Sequence, residues 1–412
     1  MEIPLFSNQD FDNYLLPFKR FFNQPQLSNF TQYLLGLLLC EGKRTITHLH
    51  EADSRRGSYN RLHHFLTESP WSEESLQKHR IDLSIKEIEE DFKSSKVKVG
   101  FIIGDDTTNP KCGRKMPGFG WNYCSTEEQP IKSQCIVTNL YHYNGNDYPL
   151  QMSLYKHQES FKENLEAFQT KNQLMIKHLE KLSFPEEIRT IGLFDSLYFN
   201  NDIISACSQK NIDSIGVLRC NRRAILQEDD PVGCRLDNWF RYLKSQQKHP
   251  FKQITIRDSK GAKQQTWMFH WTGVIKNLGE VQLIMLTPRL RGKKVEPLFI
   301  ATTAMDLSVE EIIEYYFTRW KIETFFWTIK QHLGFNHYQV RSETATIRHW
   351  YLVLMAYSFL VKARKKSDPS ATLGVIKKTF QRQNFKIFID HIHDNIKKYG
   401  QSSNATYLKF AA

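Results

Sequence analysis

The chain has 412 residues, 40% hydrophobic and 13% aromatic, with 56 Lys plus Arg against 44 Asp plus Glu for a formal charge of +12. That content excludes an intrinsically disordered chain, and the length implies roughly two or three domains rather than one core. The basic surplus favours a polyanionic partner, nucleic acid first. The opening Met1-Glu2-Ile3-Pro4-Leu5 has neither the basic nor the apolar region of a signal peptide. The longest apolar run, Trp350 to Val361, falls short of the ~20 residues a membrane span needs. Seven scattered cysteines form no C-x-x-C pair, which points to reduced thiols in a cytosol and away from a zinc site.

Residues 1–95 read as an all-helical domain. Leu27 to Cys40 is an apolar-rich helix ending near Gly42, and a second helix starts around Ser58. Ser72 before Glu73 and Glu74 has the pattern of an N-cap with an acidic first turn, opening a helix towards Phe92. Arg55, Arg56, Arg61, His63 and His64 form either a solvated face or the phosphate-contacting surface of a small DNA-binding domain.

Near residue 96 the pattern becomes β-rich. Val97 to Ile103 reads as a strand ending in Gly104-Asp105-Asp106-Thr107-Thr108. Ser133–Asn139 and Tyr148–Leu154 are further strands around the turn Asn144-Gly145-Asn146-Asp147. A helical stretch covers 161–182, Thr190–Phe194 is a short strand ending in Asp195, and a helix over 200–209 leads to the strand Ser214–Arg219. An antiparallel start with parallel additions matches the order of an RNase H-like α/β core, whose first part is 96–223. Residues 224–300 read as a β-rich insertion with strands Gln253–Arg257, Gln265–Trp271 and Val281–Leu286, and a basic loop carrying Arg289, Arg291, Lys293 and Lys294. The second part of the core, 301–362, holds a long helix from Ser308 through Glu323. A basic helical tail, 363–412, follows.

Aspartates at strand ends lie where α/β sheets place ligands, so Asp106 and Asp195 can share a crevice, although Asp after a strand is also an ordinary turn residue. On one helix, Tyr316, Arg319, Glu323 and Lys330 fall at about 0°, 300°, 340° and 320°, a stripe of roughly 60°. Arg319 and Glu323 are an i,i+4 pair that a solvated face would also show. The neighbours Ile322, Phe325, Phe326 and Ile329 make the helix largely buried, however, so a polar stripe on it should face something specific. A metal-binding carboxylate flanked by phosphate-holding cations is a coherent reading. Neighbouring residues on a strand face opposite ways, so one of Asp105 and Asp106 enters the site; periodicity does not select which.

The spacing Tyr-x2-Arg-x3-Glu-x6-Lys in the helix Tyr315 to Lys330, together with Gly104-Asp105-Asp106-Thr107 and Phe194-Asp195-Ser196-Leu197-Tyr198-Phe199, resembles one branch of the DDE transposases of bacterial insertion sequences. Lys111, Gly113, Met116 and Gly118, and Leu62 to Trp71, extend the resemblance over about 1–360. It implies that Asp106, Asp195 and Glu323 hold two Mg²⁺ ions, with Mn²⁺ able to substitute, and that Tyr316, Arg319 and Lys330 bind phosphates. The family ligand directly precedes the Thr, which selects Asp106 and leaves Asp105 as a neighbour. Related enzymes stack an insertion aromatic on a flipped base; Trp239, Trp267 and Trp271 are candidates, or plain buried sheet aromatics. The implied partners are double-stranded DNA, both the terminal inverted repeats and the target, and a second copy of the chain on paired ends. A hairpin route and a cytoplasmic, nucleoid-associated enzyme follow from the same resemblance. The rivals are a transposase-derived DNA-binding protein without catalysis and an RNase H-like nuclease with another substrate. The complete set of acids, Tyr, Arg and Lys argues against both.

Overall fold

Among the described residues, runs of β-branched and aromatic residues form twelve strands in the chain's α/β part: β1 (Val99–Pro110), β2 (Gly120–Cys124), β3 (Gln129–Tyr143), β4 (Asn146–Tyr155), β5 (Arg189–Phe194), β6 (Asp213–Val217), β7 (Arg223–Ile225), β8 (Cys234–Arg235), β9 (Lys252–Arg257), β10 (Lys263–Ile275), β11 (Gly279–Thr287) and β12 (Leu298–Thr302). The computed structural model describes residues 8–52, 59–95, 97–113, 115–161, 165–227, 230, 232–257, 263–290 and 296–399. The chain divides into an α/β unit, Ile81–Phe326, and a helical unit that combines Met1–Arg80 with Trp327–Ala412. The carboxyl-terminal helices therefore cluster with the amino-terminal ones.

In the α/β unit β1 pairs antiparallel with β3, and β1, β5 and β6 run parallel. β12 pairs antiparallel with β6, setting Ile300 beside Val217, and the sheet continues through β11 and β10. The region read from sequence as an insertion thus extends the core sheet. It covers the edge that β6 would otherwise expose to pairing with another chain.

β1 differs from its sequence reading in length. β5 accompanies it only from Val99 to Gly104, but β3 stays paired from Phe101 to Pro110, so the strand passes through both aspartates. Its two faces meet different helices. Gly104 faces Met175 of the helix Lys171–Glu180, where an added Cβ would lie 2.8 Å from the Met175 methyl. On the other face the Phe101 ring lies 5.0 Å from that of Tyr315, in the helix Val309–Thr318.

Two expected helices are broken. The stretch 161–182 forms short 3₁₀ turns at Gln158–Phe161 and Leu165–Ala167, and its α-helix starts only at Lys171, where Thr170 and Gln173 make a reciprocal capping box. The long helix through Glu323 is two, Val309–Thr318 and Lys321–Leu333. Between them the chain tightens: Ile322 N–H donates to the Arg319 carbonyl and Glu323 N–H to that of Trp320, both at 3.1 Å. Angles counted at one rise per residue therefore do not carry from Tyr316 to Lys330.

In the helical unit, Gln24–Leu39 and Glu343–Ser367 carry most of the apolar burial. Arg348 is buried there with its guanidinium 4.3 Å over Trp71, donating to Glu73 and to the Leu66 and Trp71 carbonyls. Ser72 caps the helix Glu73–Ser94 as expected, its hydroxyl accepting from Ser75 N–H at 3.1 Å. Arg61 is exposed, and Arg55 and Arg56 lie outside the described residues. Among the described residues no helix is long and apolar enough to cross a membrane.

The turn after β5 is seated by a glycine. A Cβ on Gly216 would lie 2.3 Å from Cγ of Phe199, a ring fixed near its own backbone. Gly216→Ala is expected to cost about 1–3 kcal/mol through overpacking, read as a lower urea midpoint with an unchanged slope. An unchanged midpoint would show that the turn has room to move.

Candidate active site

β1 and β5 set Gly104 beside Phe194, so the next residues, Asp105 within β1 and Asp195 just past the end of β5, point their side chains to one face of the sheet. The face is that of the helix Val309–Thr318. Arg319 closes the group from the turn after this helix, donating to Asp105 Oδ2 at 3.3 Å and to Glu323 Oε1 at 2.6 Å. The structure therefore gathers Asp105, Asp195, Arg319 and Glu323, with the Tyr316 phenol close enough to feel Arg319, Asp195 and Glu323.

Asp106 is not in this group, contrary to the choice made on the family pattern. One step along a strand turns its side chain to the opposite face. There it accepts from Lys171 Nζ at 2.8 Å, Tyr198 Oη at 2.9 Å and Cys135 Sγ at 3.2 Å. Sequence reasoning missed Lys171 and Cys135 entirely, and no local pattern marks them.

The geometry of each acid follows from its surroundings. Asp195 ends β5, and its Oδ1 accepts from the N–H groups of Leu197 (2.9 Å) and Tyr198 (3.1 Å), a side-chain turn that aims the carboxylate. Its Oδ2 has no hydrogen-bond partner among the described residues. Asp105 Oδ1 accepts from Asp106 N–H at 2.8 Å. Burial and the neighbouring Asp195 push the Asp105 carboxyl up to about 8, against the opposing pull of Arg319. Burial also raises Glu323, again opposed by Arg319. Burial works against the charge of Arg319, but Tyr316, Asp105 and Glu323 outweigh it and hold the guanidinium protonated.

Arg319 thus meets two carboxylates, with Asp195 beside one of them, and Asp105 resists ionisation first because it is buried and then because Asp195 stands next to it. Hard oxygen donors with unmet charge fit a divalent cation such as Mg²⁺. Among the described residues no three His, Cys, Asp or Glu side chains are already drawn to ligating distance, and Arg319 occupies the place of counter-cation.

The remaining candidates fall elsewhere. Lys330 belongs to the helical unit. Trp239 is buried, edge-on to Trp271 at 5.0 Å, and Trp267 is edge-on to His249 at 5.3 Å, so all three tryptophans pack in aromatic clusters. Arg289 is exposed, and Arg291, Lys293 and Lys294 lie outside the described residues. Beside the Asp195 turn, a cavity of about 410 Å³ is lined by Asn172, Ser196, Asn200, Arg219, Asn221 and Arg222. Its two arginines suit an anion.

The raised Asp105 carboxyl has a stability consequence. Folded Asp105 keeps a proton to about pH 8, whereas its ordinary value is 3.8. Between these values the folded state binds more protons than the unfolded one, so stability falls as pH rises. The thermal midpoint of the metal-free protein should decline across pH 4 to 8, and Asp105→Asn should flatten the decline and raise the midpoint at pH 8. Parallel curves for the two proteins would show that Asp105 ionises freely.

The model of the DDE superfamily endonuclease family matches residues 18–235, more than half of the chain, and that of the transposase DDE domain matches residues 171–359. The probable transposase for insertion sequence element IS701 of Microchaete diplosiphon is 28% identical over 165 residues, 39% of this chain and 40% of that protein. The matched stretch is thus well under two thirds of that relative's length. The two family matches together span all four of the residues gathered around the carboxylates. The chain belongs to the DDE superfamily of endonucleases and transposases.

Proposed function

We propose that this chain is an insertion-sequence transposase that binds element ends as double-stranded DNA, cleaves their phosphodiester bonds and joins them to target DNA. The observation that carries the reading is the pairing of Asp105 with Asp195 on one sheet face, opposite the Arg319–Glu323 pair. The order β4-β3-β1-β5-β6, antiparallel and then parallel, supports an RNase H-like core as the scaffold.

Asp105, Asp195 and Glu323 would hold the Mg²⁺ ions, two by the family pattern. When bound, such ions activate the attacking oxygen and stabilise the leaving one. The chain's own residues do the rest. Asp195 is aimed by the Leu197 and Tyr198 amides. Arg319 offers a planar fork that now holds two carboxylates and suits two phosphate oxygens equally well. Tyr316 presents a protonated phenol as a donor. Arg219 and Arg222 line a cavity beside the Asp195 turn that would receive a backbone phosphate. Lys330 is a further phosphate contact on the family pattern, and a hairpin intermediate and a dimer on paired ends belong to the same proposal. A DNA-binding protein without catalysis is disfavoured, because a buried carboxylate cluster that opposes its own ionisation has no use in such a protein.

Asp105→Asn, Asp195→Asn and Glu323→Gln are each expected to abolish Mg²⁺-dependent nicking of element-end DNA while leaving end binding within about twofold, measured by gel shift at fixed salt. Wild-type nicking by any of them would remove that residue from the site. Arg319→Ala should slow strand cleavage about 10- to 100-fold, the loss of charge-assisted bonds worth about 1.5–3 kcal/mol each. A wild-type rate would leave Arg319 as a carboxylate partner only.

A further inference from the structure

On the face opposite Asp105, the Asp106 carboxylate is fully engaged. Lys171 and Cys135 donate to Oδ2, and Tyr198 donates to Oδ1. These donors come from three separate elements: the helix Lys171–Glu180, β3, and the turn after β5. The carboxylate and ammonium are largely enclosed, with side-chain exposures of 14% and 26%. Tyr198 has a second bond. Its backbone N–H donates to Asp195 Oδ1 at 3.1 Å while its hydroxyl reaches Asp106 at 2.9 Å. One residue therefore ties the far face of β1 to the carboxylate that stands beside Asp105.

Building on the metal-site reading above, we propose that Asp106 and Tyr198 are positioning residues: the bond between them locks the Asp195 turn against β1 and fixes the separation of the Asp105 and Asp195 carboxylates. Burial alone does not call for this arrangement. An enclosed ion pair gives little stability over apolar residues of the same shape, whereas a directed hydrogen bond sets a position that apolar packing does not. Lys171 pairs with Asp106 from the helix on that side and offsets its charge, which otherwise adds to the repulsion felt by Asp105. Cys135 completes the acceptor's coordination from β3. With both oxygens taken, Asp106 serves as a strut rather than as a ligand.

Tyr198→Phe removes one oxygen and tests the proposal on the whole chain. Mn²⁺ is titrated by calorimetry, with the thermal midpoint and element-end DNA binding measured alongside. The expected result is Mn²⁺ affinity lower by about 10- to 100-fold, the range for lost partners of ligating groups, with midpoint and DNA affinity retained. The Mn²⁺ concentration for half-maximal nicking should rise by the same factor. Should Tyr198→Phe not fold, the double variant Asp106→Ala with Lys171→Met carries the same expectation, because it removes the acceptor of the Tyr198 hydroxyl without leaving the ammonium unpaired. Wild-type Mn²⁺ affinity in the folded variant overturns the proposal. Asp105→Asn and Glu323→Gln separate the two readings. If they also bind Mn²⁺ normally, the metal site itself is misassigned; if they lose it while Tyr198→Phe keeps it, only the positioning role fails.

Discussion

Where β5 stops beside Gly104, two carboxylates leave adjacent strands in the same direction, and the chemistry of the α/β unit is organised around that repulsion. Asp105 and Asp195 oppose each other's charge, and burial adds to the cost. Arg319 relieves part of it by reaching Asp105 and Glu323 together. The break between the helices Val309–Thr318 and Lys321–Leu333 matters for this reason: it puts the guanidinium at a turn, with a carboxylate on either side.

The opposite face of β1 shows how a neighbouring acid can serve differently. Asp106 has the same residue type and nearly the same depth, yet a lysine, a thiol and a phenol satisfy it completely. One face is held short of positive charge and the other is saturated with donors. The saturated face joins β1 to β3, to the helix Lys171–Glu180 and to the turn on which Asp195 stands. On the proposed reading, the face that accepts a cation is not neutralised from within, and its rigidity comes from the opposite face.

Much of the scaffold was legible in the sequence. The β-branched runs marked β3, β4, β5 and β6 to within a few residues, and Ser72 announced its helix. β1 was read too short because Asp, Thr and Asn look like a turn, whereas β3, distant in sequence, keeps them in a ladder. The helix expected over 161–182 starts late, since the Thr170–Gln173 box nucleates it locally. The same long-range pairing explains the aspartate doublet. A period of two states that Asp105 and Asp106 part, but only the register between β1 and β5 states which one meets Asp195. The three tryptophans were visible as aromatics in a β-rich region; that Trp239 packs on Trp271 depends on the helix Leu236–Ser245 and β10 meeting in space. Lys171 and Cys135 carried no signal, because their role exists only once three distant elements converge.

The assignment of Asp105 in place of Asp106 is tested most directly by anomalous diffraction from crystals of the chain soaked in Mn²⁺. The account predicts manganese peaks about 2 Å from carboxylate oxygens of Asp105, Asp195 and Glu323, with Asp106 still bonded to Lys171 and Tyr198. Manganese bound by Asp106, with Asp105 turned to the opposite face, would contradict it.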